Sequence, residues 1–161
     1  MTGWDRDTSG RARNARPRDA AGRPLPHGAT GVERVPDDLV LTAEDAVTEA
    51  QRLLDAGLPF AAHEILEGAW KAAPAAEREL WRGFAQLAVG LTHAQRGNAR
   101  GAVALLQRAA ERLGEWVGPV PAGLAVPQTA TWASALARRI EQTGTAALTP
   151  ADLDPRLRTS H

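Results

Sequence analysis

The sequence predicts an all-α protein of about five helices, packed as antiparallel hairpins, with an extended N-terminal arm. From Thr42 onward, apolar residues recur at helical spacing, and Gly or Pro residues interrupt this pattern at short intervals. No segment shows the alternation of apolar and polar residues that a half-buried strand needs. The predicted helices differ in length and show no internal repeat of about 34 residues, so a helical repeat array is a minor alternative.

Each predicted helix has its own start and stop signals. Thr42 is a candidate N-cap for the first helix, which is expected to end near Gly57. Pro59 is well placed to open a second helix from Phe60 to about Ala72. Three further helices are predicted over about residues 75–96, 99–112 and 129–142, and a loop rich in Gly and Pro over 114–127.

Composition divides the chain into three parts. Residues 1–40 form an arm with seven Arg, four Pro and little apolar periodicity, and its most basic run is Arg11–Arg18. An arm of this composition is expected to be a solvated or partly ordered extension over the domain, with contact to nucleic acid or to a protein partner as alternatives. Residues 41–145 form the predicted helical domain, and residues 146–161 a short polar tail.

Composition also excludes several classes of function. The chain has no Cys, which excludes disulfides, Cys nucleophiles and Cys-based zinc or iron–sulfur sites. Its 19 basic residues balance 19 acidic ones, which argues against a surface that binds nucleic acid as a whole. No apolar run is long enough to span a membrane and the first residues are polar, so the expected location is the cytoplasm. Motifs of phosphate-binding loops and serine hydrolases are absent.

The second and third helices carry polar residues on faces that should be buried. His63 and Glu67 share one helical face with aromatic residues, and the third helix has a polar stripe on an otherwise apolar surface. The short link between these helices makes them antiparallel neighbours, so Glu67 would face Arg82, and His63 would face Gln86 or His93. We therefore expect one polar cluster, which is a candidate ligand pocket formed by His63, Glu67, Trp70, Trp81, Arg82, Gln86 and His93.

Three interpretations of this cluster are open. In the first, Glu67 and Arg82 form a buried ion pair and the histidines are satisfied core residues. In the second, His63, Glu67 and His93 bind a divalent metal such as zinc, with Glu64 available as a base for metal-assisted hydrolysis. In the third, the cluster is a pocket for a small anionic ligand, with Arg82 as its anchor and the tryptophans as its walls.

The central segment resembles a known family in the order of its motifs. These are H-x-x-x-E-x-x-W from His63 to Trp70, W-R-G-F-A-Q-L-A-V from Trp81 to Val89, then His93, Gly97-Asn98 and Gly101-Ala102. Over about residues 45–113 the chain resembles the bacterial and archaeal family known as domain of unknown function 309. The resemblance implies an all-helical fold and suggests a metal at the His/Glu/Trp motif, but it implies no particular reaction.

Two functional predictions follow. The first is a helical domain with a metal or small-ligand site, to which the sequence assigns no catalytic residue. The alternative is a non-enzymatic module that binds a partner or a second copy of itself, while the polar cluster is purely structural. Trp116 and Trp132, near the Gly- and Pro-rich loop, are the candidate exposed anchors of such an interface.

Overall fold

The computed structural model describes residues 5–6, 12–13 and 41–159. Within these residues there are five α-helices, which are α1 (Ala43–Asp55), α2 (Pro59–Ala72), α3 (Arg78–Gln95), α4 (Ala99–Gly114) and α5 (Val126–Thr143). Short 3-10 turns occur at Ala75–Glu77, Pro121–Gly123 and Pro150–Leu153. Two short strands, β1 (Asp5–Arg6) and β2 (Ala12–Arg13), pair antiparallel. The rest of the predicted arm, including most of the basic run, lies outside the described residues.

Consecutive helices pack against one another, α1 on α2, α2 on α3, α3 on α4 and α4 on α5. The first three connections between consecutive α-helices are five residues long or shorter, and residues 115–125 form the fourth. The predicted stack of hairpins and the all-α class are confirmed. α3 lies between α2 and α4, so most of its circumference is buried and apolar, apart from the polar stripe. The largest fully buried side chains of the core include Leu53, Leu66, Leu80, Trp81, Phe84, Leu91, Leu106, Leu113 and Ile140.

Local capping chemistry explains where most helices begin and end. The Thr42 hydroxyl accepts a hydrogen bond from a backbone amide in the first turn of α1 at 3.1 Å, and Asn98 does the same for α4 at 3.0 Å. Gly57 and Gly97 follow α1 and α3 with φ of +76° and +81°, a conformation that favours glycine. These signals are local in sequence, and the structure confirms the helix ends that they predict.

Two helix starts differ from the prediction. Residues 75–77 form a 3-10 turn, so α3 begins at Arg78. α5 begins at Val126, three residues before the predicted start, and Pro127 lies in its first turn. A proline is tolerated there because the first amides of a helix have no partner within the helix. The proline therefore belongs to the helix and not to the preceding loop.

Two glycines on α3 let α4 approach closely. A methyl group built at Gly90 would lie 2.9 Å from Cγ of Leu106 and 3.2 Å from its backbone nitrogen. One built at Gly83 would lie 2.8 Å from Cδ2 of Leu113. All three distances are shorter than van der Waals contact, so the spacing of α3 and α4 depends on the absence of a side chain at these positions.

The last residues, predicted as a polar tail, pack back onto the bundle. Leu157 is fully buried. Its backbone carbonyl accepts from the Ala125 amide at 2.7 Å, and its backbone N–H donates to the Gln51 side chain at 2.9 Å. Residues 145–159, here called the C-terminal segment, thus cover the bundle beside α1 and α5. No helix in the described part of the chain is long and apolar enough to cross a bilayer.

Candidate functional site

α2 places His63 and Glu67 one turn apart, where their side chains meet. Nε2 of His63 lies 2.9 Å from one carboxylate oxygen of Glu67, and Nζ of Lys71 lies 2.8 Å from the other. The hydrogen bond from His63 is the largest cause that lowers the pKa of Glu67 to about 2, and Lys71 adds to it, although desolvation acts in the opposite direction. Glu67 is therefore ionised at neutral pH.

The bond to Glu67 determines which nitrogen of His63 carries the proton. A carboxylate can only accept, so Nε2 is protonated and Nδ1 has a free lone pair whenever the imidazole is neutral. Nδ1 is buried and forms no hydrogen bond with any described residue. The Phe60 ring lies beside the imidazole, with ring centroids 5.6 Å apart. The Glu67 carboxylate thus orients the imidazole and leaves one acceptor nitrogen unused.

Trp70 and Arg82 join α2 to α3 at the same surface. The guanidinium carbon of Arg82 lies 5.7 Å from the centroid of the Trp70 ring, a cation–π contact. The ion pair of Arg82 with Glu79 is long, at 3.8 Å, and 44% of the Arg82 side chain is exposed. Nε1 of Trp70 is buried and donates no hydrogen bond to the described chain. We call His63, Glu67, Trp70, Lys71 and Arg82 together the α2–α3 face.

The structure does not form the predicted ion pair between Glu67 and Arg82. Glu67 instead pairs with two residues of its own helix, four positions before and four positions after it. Arg82 packs on Trp70. Donors on the same helix are already in place when the helix forms, so they bind the carboxylate without requiring a particular orientation of α3. Glu67 is also 34% exposed, and the predicted fully buried charge pair is wrong.

Two more members of the predicted cluster face other neighbours. Oε1 of Gln86 accepts a hydrogen bond from Arg112 of α4 at 3.1 Å, and Arg112 also pairs with Glu79. Trp81 is 1% exposed and belongs to the core, where its indole N–H donates to Glu77 at 3.3 Å. Neither residue lines the α2–α3 face, because Gln86 bonds to α4 and Trp81 lies in the core.

His93 supports the start of α4. Its Nδ1 lies 3.1 Å from Nδ2 of Asn98. The side-chain oxygen of Asn98, Oδ1, accepts a hydrogen bond from the backbone amide of Gly101. Because Nδ2 is a donor, Nδ1 of His93 must be the acceptor. Burial, together with the charge of Arg96, lowers the pKa of His93 and favours the neutral form that this contact needs. A methyl group at Gly101 would lie 2.6 Å from Asn98 Nδ2 and 3.0 Å from the imidazole, so glycine is required there.

The predicted metal centre of His63, Glu67 and His93 is not assembled. Among the described residues, no group of three or more His, Asp or Glu side chains is arranged to hold a metal ion. His63 and Glu67 bond to each other, whereas His93 bonds to the turn between α3 and α4. The donors therefore do not fit a three-ligand zinc site, which needs all of its ligands at about 2.0–2.2 Å from one point.

The two tryptophans proposed as exposed anchors are both half-buried and pack against the core. Trp116 also donates its indole N–H to the carbonyl of Pro119 at 2.9 Å. The exposed apolar residues near them are Val117 and Val120. Both tryptophans therefore contribute to core packing.

The family model described as Domain of unknown function (DUF309) matches residues 47–105. Over these residues, here called the DUF309 segment, the chain is similar to that family. The DUF309 segment runs from α1 into α4 and includes every residue of the α2–α3 face. The resemblance inferred from the motifs is thus confirmed. Comparison with curated proteins and with solved structures found no match.

Lys71 is a residue of the α2–α3 face that is not among the site residues predicted from the sequence. It is the only lysine of the chain and lies four residues after Glu67, a spacing at which opposite charges pair along a helix. The spacing of four residues from Glu67 is the sequence signal that predicts this pairing.

Proposed function

We propose that the α2–α3 face binds a small organic anion, and that the protein is a ligand-binding helical domain. The observation that carries this proposal is the indole N–H of Trp70, a buried donor without a partner in the described chain. The guanidinium of Arg82 lies over the same indole ring. A buried donor left without an acceptor costs about 1–3 kcal/mol. A ligand oxygen that accepts from this N–H would recover that cost.

The charges of the α2–α3 face favour an anion. Arg82 and Lys71 are cationic, and nearly half of each side chain is exposed. The one carboxylate of this set, Glu67, already accepts from Lys71 and His63, and its charge is partly compensated. Guanidinium groups bind carboxylates and phosphates through paired N–H donors. Arg82 is therefore the proposed anchor, with Trp70 as the wall beside it.

His63 defines a second feature of the ligand. Its Nδ1 is a buried acceptor, and the Glu67 bond holds the ring in one orientation. A hydroxyl group on the ligand would supply the donor that Nδ1 lacks. The proposed ligand class is therefore a carboxylate or phosphate monoester that carries a hydroxyl, and sequence and geometry assign no reaction to it.

Trp70 provides the readout for a direct test. Two-dimensional ¹H–¹⁵N spectra resolve indole N–H signals, and the Trp70→Phe variant identifies the signal of Trp70. The probes are L-malate and glycerol 3-phosphate, with neutral glycerol for comparison. We expect the Trp70 signal to shift saturably with at least one of the two anions and not with glycerol. Arg82→Gln should weaken that binding by about tenfold or more, the effect of losing a charged hydrogen bond.

Arg138→Gln is the matched control, because Arg138 is an exposed arginine on α5. It should leave the affinity unchanged. If neither anion shifts the Trp70 signal, the proposal is wrong. Equal weakening by Arg82→Gln and Arg138→Gln would also contradict it, because the anion would then respond only to overall charge.

A further inference from the structure

A cavity of about 420 Å³ lies between the ends of α1 and α3 and the C-terminal segment. Its volume falls in the range of small-molecule sites. None of its lining residues belongs to the α2–α3 face. Residues 54–57, 59 and 94–95 line it from the DUF309 segment, and residues 145, 148–150 and 153 line it from outside that segment. The cavity thus exists only because the C-terminal segment packs back onto the bundle.

Most of the wall is hydrocarbon. Leu54, Pro59 and Ala94 contribute the helical side of the cavity, and Leu148 and Leu153 contribute the opposite side. Leu54, Pro59 and Ala94 are buried, and the two leucines of the C-terminal segment are half-buried against the core. A short alkyl chain between these walls would remove apolar surface from water on both sides.

Gln95 supplies a fixed hydrogen-bond acceptor at this cavity. Its Nε2 donates to the backbone carbonyl of Gly57 at 2.8 Å, which sets the orientation of the amide. Its Oε1 is then an acceptor, which is buried and receives no hydrogen bond from any described residue. A ligand that donates an N–H or O–H would satisfy this acceptor, whereas an anion or a pure hydrocarbon would not.

The electrostatic setting distinguishes between a neutral and a charged donor. α1 ends at Asp55 and α3 at Gln95, and both residues line the cavity, so the negative ends of two helix dipoles meet there. α2 begins at Pro59, and its positive end offsets one of them. Asp55 adds a carboxylate, and Asp55 and Asp154 share the single guanidinium of Arg156 at 2.5 and 2.7 Å. The balance favours a cation.

From these features we infer that the cavity binds a small aliphatic amine in its ammonium form. The alkyl chain lies between Leu54 and Leu148, and the ammonium group donates to Oε1 of Gln95 near the Asp55 carboxylate. This site is independent of the anion site proposed above, because the two share no residue and prefer opposite charges.

Calorimetric titration with n-hexylammonium chloride tests the inference, with 1-hexanol as the neutral probe of the same chain length. We expect n-hexylammonium to bind about tenfold or more tightly than 1-hexanol, since a hydrogen bond to a charged donor is stronger than one to a neutral donor. Gln95→Leu keeps the side-chain size, removes the acceptor and should weaken the binding of both probes, n-hexylammonium more than 1-hexanol, because the hydrogen bond that it loses has a charged donor. Gln128→Leu, an exposed glutamine near the start of α5, is the matched control and should preserve the binding of both probes.

Leu148→Trp keeps the test decisive if Gln95→Leu does not fold. It leaves the hydrogen bond of Gln95 to Gly57 in place, fills the cavity from its half-buried rim and should abolish binding of both probes. Absence of n-hexylammonium binding to the unmodified chain would overturn the inference. Equal binding of the two probes by the unmodified chain would overturn the assignment of a cation, and binding that survives Leu148→Trp would overturn the location.

Discussion

The charge pair on α2 allows a quantitative prediction for Glu67→Gln. The carboxylate has an ordinary pKa of 4.5 and a pKa of about 2 in the folded protein, because His63 and Lys71 both donate to it. Each pH unit between these values corresponds to about 1.36 kcal/mol, which gives an upper bound of about 3.4 kcal/mol. Since 34% of the side chain is exposed and solvent screens such pairs, the expected loss at pH 7 is nearer to about 1 kcal/mol.

The sign of the pH dependence follows from the lowered pKa. Above pH 4.5 both the folded and the unfolded chain hold Glu67 ionised, and the full stabilisation is present. As the pH falls from 4.5 towards about 2, the unfolded state takes up the proton first, and the contribution is lost. The difference in stability between the unmodified protein and Glu67→Gln should therefore shrink over that window.

Urea unfolding at pH 7.0, 4.0 and 3.0, followed by circular dichroism, measures this difference. Glu111→Gln, at an exposed position on α4, is the matched control and should change stability by less than about 0.5 kcal/mol. A loss of about 3 kcal/mol or more at pH 7 would mean that the Glu67 charge is buried and unscreened, as the sequence alone suggested. A loss that is the same at pH 7.0 and 3.0 would show that the pairing with His63 and Lys71 does not stabilise the fold.

Two further predictions concern Gly90 and His93 of α3, and Gly68 of α2 serves as the comparison for Gly90. Gly90→Ala should destabilise the fold by about 1–3 kcal/mol, because its methyl group would meet Leu106 at 2.9 Å. Gly68→Ala should stabilise the fold by about 0.5–1 kcal/mol, because nothing lies within 4 Å of the added carbon. Thermal unfolding of the two variants checks both signs, and a stable Gly90→Ala variant would refute the close approach of α3 and α4. The lowered pKa of His93 means that its stabilisation is full above about pH 6.5 and is lost as the pH falls through its folded pKa. His93→Gln, which keeps an acceptor for Asn98, should therefore lose less stability than the unmodified protein between pH 7.5 and 5.5, and an equal loss in both would contradict the proposed contact.

The helices could be predicted from the sequence because their determinants are local. Thr42, Gly57 and Pro59 each act on residues within one or two turns, and the structure shows them in the predicted roles. The α2 face could be predicted for the same reason, since residues at i and i+4 share a face in any α-helix. His63 and Glu67 are indeed in contact.

Contacts between helices could not be predicted in the same way. A helix packed between two neighbours buries most of its circumference, so periodicity does not say which neighbour a polar stripe faces. Gln86 contacts Arg112 on α4, and His93 contacts Asn98. The helical periodicity of the sequence also allowed each of these two residues to contact α2. The C-terminal segment shows a second limit, because Leu157 is bound by Gln51, which is 106 residues away in the chain.

The C-terminal segment also brings the two ends of the helical body together. Arg158 donates to the backbone carbonyl of Glu44 at 2.7 Å and to the hydroxyl of Thr48 at 2.8 Å, both in the first turns of α1. When chain ends are neighbours, a domain tolerates circular permutation. A short linker from residue 159 to residue 41, with new ends between Val117 and Gly118 in the exposed loop, would keep all five helices and the cavity beneath the C-terminal segment intact. In such a rearranged chain the C-terminal segment would become an internal connection, held at both ends.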